Sequence, residues 1–196
     1  MAIKTISDFK SQLRGGGARP NLFNVQLTAP PPNVTSNWDA DKFQFMCKAA
    51  SLPAQNVASI DIPFRGRIFK VAGDRTIDVW TVTIINDEDF IFRRAFEEWS
   101  EQIVRLSNNM GTTRPSEYMV NASVQQLGRG ATPSSVDNGS VDDNSTILNT
   151  YEFVDIWPTT VAPIDLSYDS GDAIEEFTVE FAVQSVNLIA GGTPNG

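Results

Sequence analysis

Glu176 and Glu180 are the residues of this chain whose type and spacing come nearest to a catalytic pair. Two carboxylates flanking a bond are how glycoside hydrolases protonate a leaving group and attack the sugar. Here both fall on the polar side of an alternation whose other side is Phe177, Val179, Phe181 and Val183. Their Cα atoms are then roughly four rises of about 3.3 Å apart, which is wide for a retaining pair, and a solvated acidic face accounts for them without catalysis. The rest of the chemistry is thinner still. The chain has no His, which removes the usual general base near neutral pH, the Ser-His and Cys-His nucleophile pairs and the commonest zinc ligand. Its one cysteine, Cys47, cannot form an internal disulfide and reads as a small core residue. Asp137-Asn-Gly and Asp142-Asp-Asn144 offer oxygen ligands without the spacing that wraps calcium. Gly15-Gly-Gly17 and Gly128-Arg-Gly130 lack the strand-to-helix context of a phosphate cradle. The residues predict no enzyme, no cofactor and no metal.

Composition narrows the partners. With 196 residues, 41% hydrophobic and 20% charged, the chain has the make-up of one folded domain. A formal charge of −9 opposes nucleic-acid binding, because duplex affinity rests on Lys and Arg neutralising phosphates. No stretch of about 18 apolar residues is present to span a bilayer, and Met1 to Arg14 lacks the apolar centre of a secretory signal, so a cytosolic site of synthesis and no membrane insertion are expected.

The elements that would position these residues are mostly strands. Residues 71 to 88 set the pattern: a polar turn containing Gly73, a period-two run with Trp80, Val82 and Ile84 on one face and Val79, Thr81, Thr83 and Ile85 on the other, then the acidic residues Asp87, Glu88 and Asp89. Both faces of such a strand are usable, one for a core and one for solvent or a neighbouring subunit. Similar alternation predicts strands at Leu22 to Thr28, Phe43 to Ala49, Tyr118 to Leu127, Tyr151 to Trp157, Ile164 to Tyr168 and Glu175 to Leu188, the last two joined as a hairpin through Asp169-Ser-Gly-Asp172. One strong helix is predicted from about Asp89 to Leu106, with Phe92, Phe96, Trp99, Ile103 and Leu106 on one stripe and acids at its start to suit the helix dipole. A short helix at Ile6 to Leu13 followed by the three glycines reads as a hinged arm over residues 1–17, with the domain at 18–190 and a tail at 191–196. Ala29 to Asp41 and Gly128 to Asn149 read as surface loops.

Several segments together resemble the tail tube protein family of contractile-tailed bacteriophages. They are Ala18-Arg-Pro-Asn-Leu-Phe23, Cys47-Lys-Ala49 with Leu52-Pro-Ala54, Val71-Ala-Gly-Asp-Arg-Thr76, Trp80-Thr-Val-Thr83, Asn86-Asp-Glu88 and Trp157-Pro-Thr159, in family order over about residues 18 to 187. Leu-Pro-Ala alone is weak; Ala-Gly-Asp-Arg-Thr followed at the right distances by Trp-Thr-Val-Thr and Asn-Asp-Glu is specific. The resemblance implies a mainly β fold, an antiparallel sandwich or barrel with one flanking helix and long loops. It also implies a structural virion protein whose hexameric rings stack into the inner tail tube, a conduit for DNA ejection. The implied partners are the chain itself, the tail sheath, the baseplate, the tape measure protein and DNA in transient, non-specific passage. The two long loops depart from the family pattern.

Within that frame Gly73, Asp74 and Arg75, with the loop Leu52 to Arg67, are the candidate subunit interface; Asp74 and Arg75 either pair across subunits or close their own turn. Glu176 and Glu180 are the candidate lumen-facing residues, since carboxylates within a Debye length of roughly 8 to 10 Å would push phosphate from a wall; an outer solvated face is the alternative. A type VI secretion or other contractile-injection tube, and a monomeric β-sandwich binding module, are the competing functions.

Overall fold

The computed structural model describes residues 5–12, 17–27, 29–32, 34, 37–128, 147–169 and 171–190. In chain order the elements are α1 (Ile6–Gln12), β1 (Phe23–Leu27), α2 (Ala40–Met46), β2 (Cys47–Ala50), β3 (Gln55–Phe64), β4 (Arg67–Ile77), β5 (Trp80–Ile85), α3 (Ile91–Ile103), a 3-10 turn (Pro115–Glu117), β6 (Val120–Leu127), β7 (Ile147–Val161) and β8 (Glu176–Ala190). Six strands form one antiparallel, nearly closed sheet in the order β1-β6-β7-β8-β5-β2. Strands β3 and β4 pair only with each other, as a separate hairpin.

Strand β5 follows the alternation its sequence carries: Trp80, Val82 and Ile84 are fully buried, whereas Thr81, Thr83 and Ile85 are half-buried on the other face. Opposite them on β8 stand Phe181, Val179 and Phe177, so the register brings apolar partners together across the pair. Helix α3 lies on this core face. Phe96 meets the rings of Phe177 and Phe181 at 6.3 and 5.8 Å, and Trp99 donates its indole N–H to the Tyr118 carbonyl at 2.8 Å, which satisfies the one polar atom its burial would strand. Arg93 ties the helix to the segment after β7 by donating to the Ala162 carbonyl at 2.5 Å and lying 5.4 Å from the Phe177 ring centre. Leu106, expected on the buried stripe, lies beyond the helix end and is 92% exposed.

The run Phe43 to Ala49 is not one strand. Asp39 caps α2 by accepting from the Asp41 and Lys42 amides at 3.0 and 3.2 Å, and that start makes residues 40–46 helical. Helical spacing then buries Phe43 and Cys47, four apart, and leaves Phe45 79% exposed, where a strand would have aligned Phe45 with them. Phe43 gains Trp38, Phe92 and Phe96 as ring neighbours. Trp38 closes this cluster and donates to the Leu27 carbonyl at 3.1 Å.

Residues 164 to 168 form no strand, and the expected hairpin with residues 175 to 188 is absent; β8 pairs instead with β7 and β5. The two 15-residue strands β7 and β8 pair with each other and, on their far sides, with β6 and β5, so neither offers a free edge to the segment that joins them. The loop expected at Gly128 to Asn149, with its Asp137 and Asp142 groups, lies mostly outside the described residues, as does the tail at 191–196.

Candidate assembly surfaces

The hairpin of β3 and β4 begins at a turn whose two central residues, Arg65 and Gly66, both have positive φ, 46° and 81°. That is the type I′ geometry that matches strand twist in a two-residue hairpin, and Gly66 takes it without strain. Pairing runs outward through Phe64 with Arg67, Ile62 with Phe69 and Ile60 with Val71. These side chains share one face. The opposite face carries Asp61 beside Lys70, an ion pair at 3.5 Å, and Pro63 beside Ile68. Every large apolar side chain on β3 and β4 up to Val71 is exposed, with Ile62 at 46% and Phe69 at 64%. A two-stranded hairpin is marginal in water by itself. This one holds a ridge of β-branched and aromatic residues that nothing in its own chain covers, among the described residues.

Gly73, Asp74 and Arg75 lie inside β4 rather than in a turn. The register advances from Ala72 to Arg75 while β3 advances only from Ser59 to Val57, so Gly73 and Asp74 bulge opposite Ala58. A Cβ on Gly73 would stand 3.1 Å from both the Ala58 carbonyl oxygen and Ile60 Cγ1, tight enough that glycine is what the bulge accommodates best. Arg75 donates to the Gln55 side-chain oxygen of its own hairpin base, and Asp74 is exposed with no ion pair among the described residues. Asn56 donates a 3.0 Å bond to Asp78, in the link between β4 and β5.

Glu176 and Glu180 lie on the half-buried outer face of the six-stranded sheet, with Thr178 between them and Thr81 and Thr83 on the next strand. The Thr83 and Thr178 hydroxyls are 3.4 Å apart. Glu176 is neutralised by Lys48 of β2 at 2.5 Å, whereas Glu180 has no ion pair among the described residues. The sheet thus offers two faces, an aromatic one turned to the core and a threonine- and carboxylate-bearing one turned outward.

Near these surfaces, among the described residues, Lys48 pairs with Glu176 and Lys70 with Asp61. Burial pushes the Cys47 thiol up to about 12, far from a nucleophile's range. No cluster of His, Cys, Asp and Glu among the described residues could hold a metal, and none of their helices is long and apolar enough to cross a membrane. The strongest charge cluster is structural: Lys42 of α2 bonds Asp87 at 2.7 Å and also Asp89, at the entry to α3. Those bonds raise the Lys42 pKa and lower both carboxylates.

Sequence reasoning treated residues 52 to 67 as a loop and so missed the ridge. Its signal was present: Ile60, Ile62 and Phe64 alternate, as do Phe69 and Val71, on either side of Arg65-Gly66.

The chain matches the phage tail tube protein family over residues 18–187. It is 36% identical to the tail tube protein gp19 of Enterobacteria phage T4 over 169 residues, which is 86% of this chain and 90% of that protein. For gp19 of Enterobacteria phage T6 the identity is 35% with the same coverage. Among solved structures, the sheath–tube complex of an extracellular contractile injection system matches with a TM-score of 0.60 at 12% identity, covering 92% of this chain and 97% of the other. A tube-terminating cap of the anti-feeding prophage matches at 0.58 and 14%, covering 97% and 95%. At such identities these two attest the fold. Taken with the family match across the domain, they leave one conclusion: this chain belongs to the phage tail tube protein family.

Proposed function

We propose that this protein builds the inner tube of a contractile tail, as hexameric rings stacked into a conduit through which DNA leaves the virion. The observation that carries this reading is the uncovered apolar ridge of Ile60, Ile62, Phe64, Phe69 and Val71. Fully burying one such side chain is worth about 1.5 to 3 kcal/mol, so the arm is a strong driver of association. The sheet adds a second means of joining. Strands β1 and β2 each have one edge without a sheet partner among the described residues, and six strands alternate in direction between them. Laying β1 of one copy beside β2 of the next continues the antiparallel order, a head-to-tail contact that closes into a ring.

The outward threonine and carboxylate face then lines the channel. Glu180 keeps its charge free to repel phosphate, and Lys48 reduces what Glu176 contributes. A wall of that kind passes DNA without gripping it. The sheath surrounds the tube, the baseplate starts it and the tape measure protein fills it before DNA does; the sheath–tube complex of similar fold supports the first of these. Imaging mature particles with a label on this polypeptide tests the reading: label along the central shaft agrees with it, and label elsewhere overturns it.

A further inference from the structure

We propose that the tip of the β3–β4 hairpin docks into the groove lined by residues 163–167 and 173–176 of a second copy of this chain. The inference rests on the tube reading and assigns the two surfaces that meet. Residues 55–77 carry Arg65, Arg67, Lys70 and Arg75 against only Asp61 and Asp74, a surplus of positive charge on a chain whose formal charge is −9. The arm is therefore attracted to the bodies of other copies, which hold the excess carboxylates.

The groove matches the tip in charge and places a few apolar side chains beside its carboxylates. It is an open depression of about 360 Å³ between the end of β7 and the start of β8, lined in part by Ile164, Leu166 and Ile174 together with Asp165 and Glu175. Leu166 and Ile174 are strongly exposed, with nothing covering them among the described residues. The lining residues include three carboxylates, Asp165, Glu175 and Glu176, and no Lys or Arg. Lys48 occupies Glu176, and Asn86 donates to Glu175 at 3.0 Å, which holds that carboxylate at the groove wall without neutralising it. At the tip, Phe64 projects from the apolar face with the Arg65 guanidinium 5.4 Å from its ring centre. An aromatic ring flanked by Arg65 and Arg67 complements a largely polar groove that sets Asp165 and Glu175 beside the exposed Leu166 and Ile174. The groove lies at the body and the tip at the end of an arm ten residues long on its β3 side, so tip and groove of different copies make a head-to-tail contact that repeats along the tube.

Charge reversal with rescue tests this in the full chain, using light scattering of polymerisation onto isolated baseplates. Arg65→Glu with Arg67→Glu reverses the tip, Asp165→Arg reverses the wall, and both sit on exposed positions; unchanged thermal unfolding of the monomers establishes that each variant folds. Each reversal alone is expected to slow polymerisation at least about tenfold, and their combination to restore it to within about threefold of the parent. Tip-reversed protein polymerising like the parent, or a combination as defective as either reversal, overturns the contact and leaves the tube reading standing. Failure of the parent chain itself to extend on baseplates counts against the tube reading, and the contact falls with it.

Discussion

Ile62 and Phe69 face each other across the β3–β4 hairpin, and both keep about half or more of their surface in water. Cross-strand apolar pairs stabilise a sheet when a third layer covers them. Here no covering layer is present among the described residues, which makes the pair a piece of core waiting for another copy.

Replacing both members, Ile62→Asn with Phe69→Asn, is expected to separate folding from assembly. The monomer should unfold within about 3 °C of the parent, because exposed substitutions usually change stability by about 0.5 kcal/mol or less. Sedimentation should show polymer yield reduced at least about tenfold.

Gly73→Val tests the bulge. The added branches have Ala58 and Ile60 as neighbours, so the arm must shift while the body, which shares few contacts with it, stays folded. Amide exchange should quicken in residues 55–77 and remain unchanged in α3, with polymerisation impaired.

Two phenylalanines separated by spacing alone give a stability contrast. Phe96 is fully buried amid Trp38, Phe43 and Phe181, and Phe96→Ala should cost about 3 to 5 kcal/mol in chemical denaturation. Phe45→Ala should cost about 0.5 kcal/mol or less. A large loss at Phe45 would favour the strand that its alternation suggested.

That pair also shows what the sequence carried and what it could not. Strand β5 and helix α3 were legible because one periodicity dominates each over enough residues. Residues 40–46 were not, because alternating phenylalanines fit a strand until Asp39 supplies a cap, and burial of Phe43 depends on the nearby Trp38 and on α3, which lies far along the chain. The arm was hidden for a different reason. Alternation normally marks a face turned to a core, and nothing local distinguishes an own core from a neighbour's. Gly73, Asp74 and Arg75 stood out as a motif, but the bulge that places them comes from pairing with β3.

Lys42→Met should lower stability with a defined pH dependence. Lys42 lowers the Asp87 and Asp89 pKa values from 3.8, so their contribution is present above that value and lost as pH falls through the lowered ones. The Lys42 pKa is raised from 10.5, so its contribution holds below that value and is lost as pH rises through the raised one. The difference in melting temperature between parent and variant should be greatest between about pH 5 and 9 and shrink outside that window.

Glu176→Lys with Glu180→Lys places cations on the outward sheet face. Virions assembled with this variant should eject DNA several-fold more slowly at low salt, with the deficit shrinking as ionic strength rises. Ejection at the parent rate would remove these residues from the lumen.

The most direct test of the account is a density map of the assembled tail at side-chain detail. It should show six copies per ring with Ile60, Ile62 and Phe69 of each arm enclosed by neighbouring copies. Arms projecting into solvent from an intact tube would contradict it.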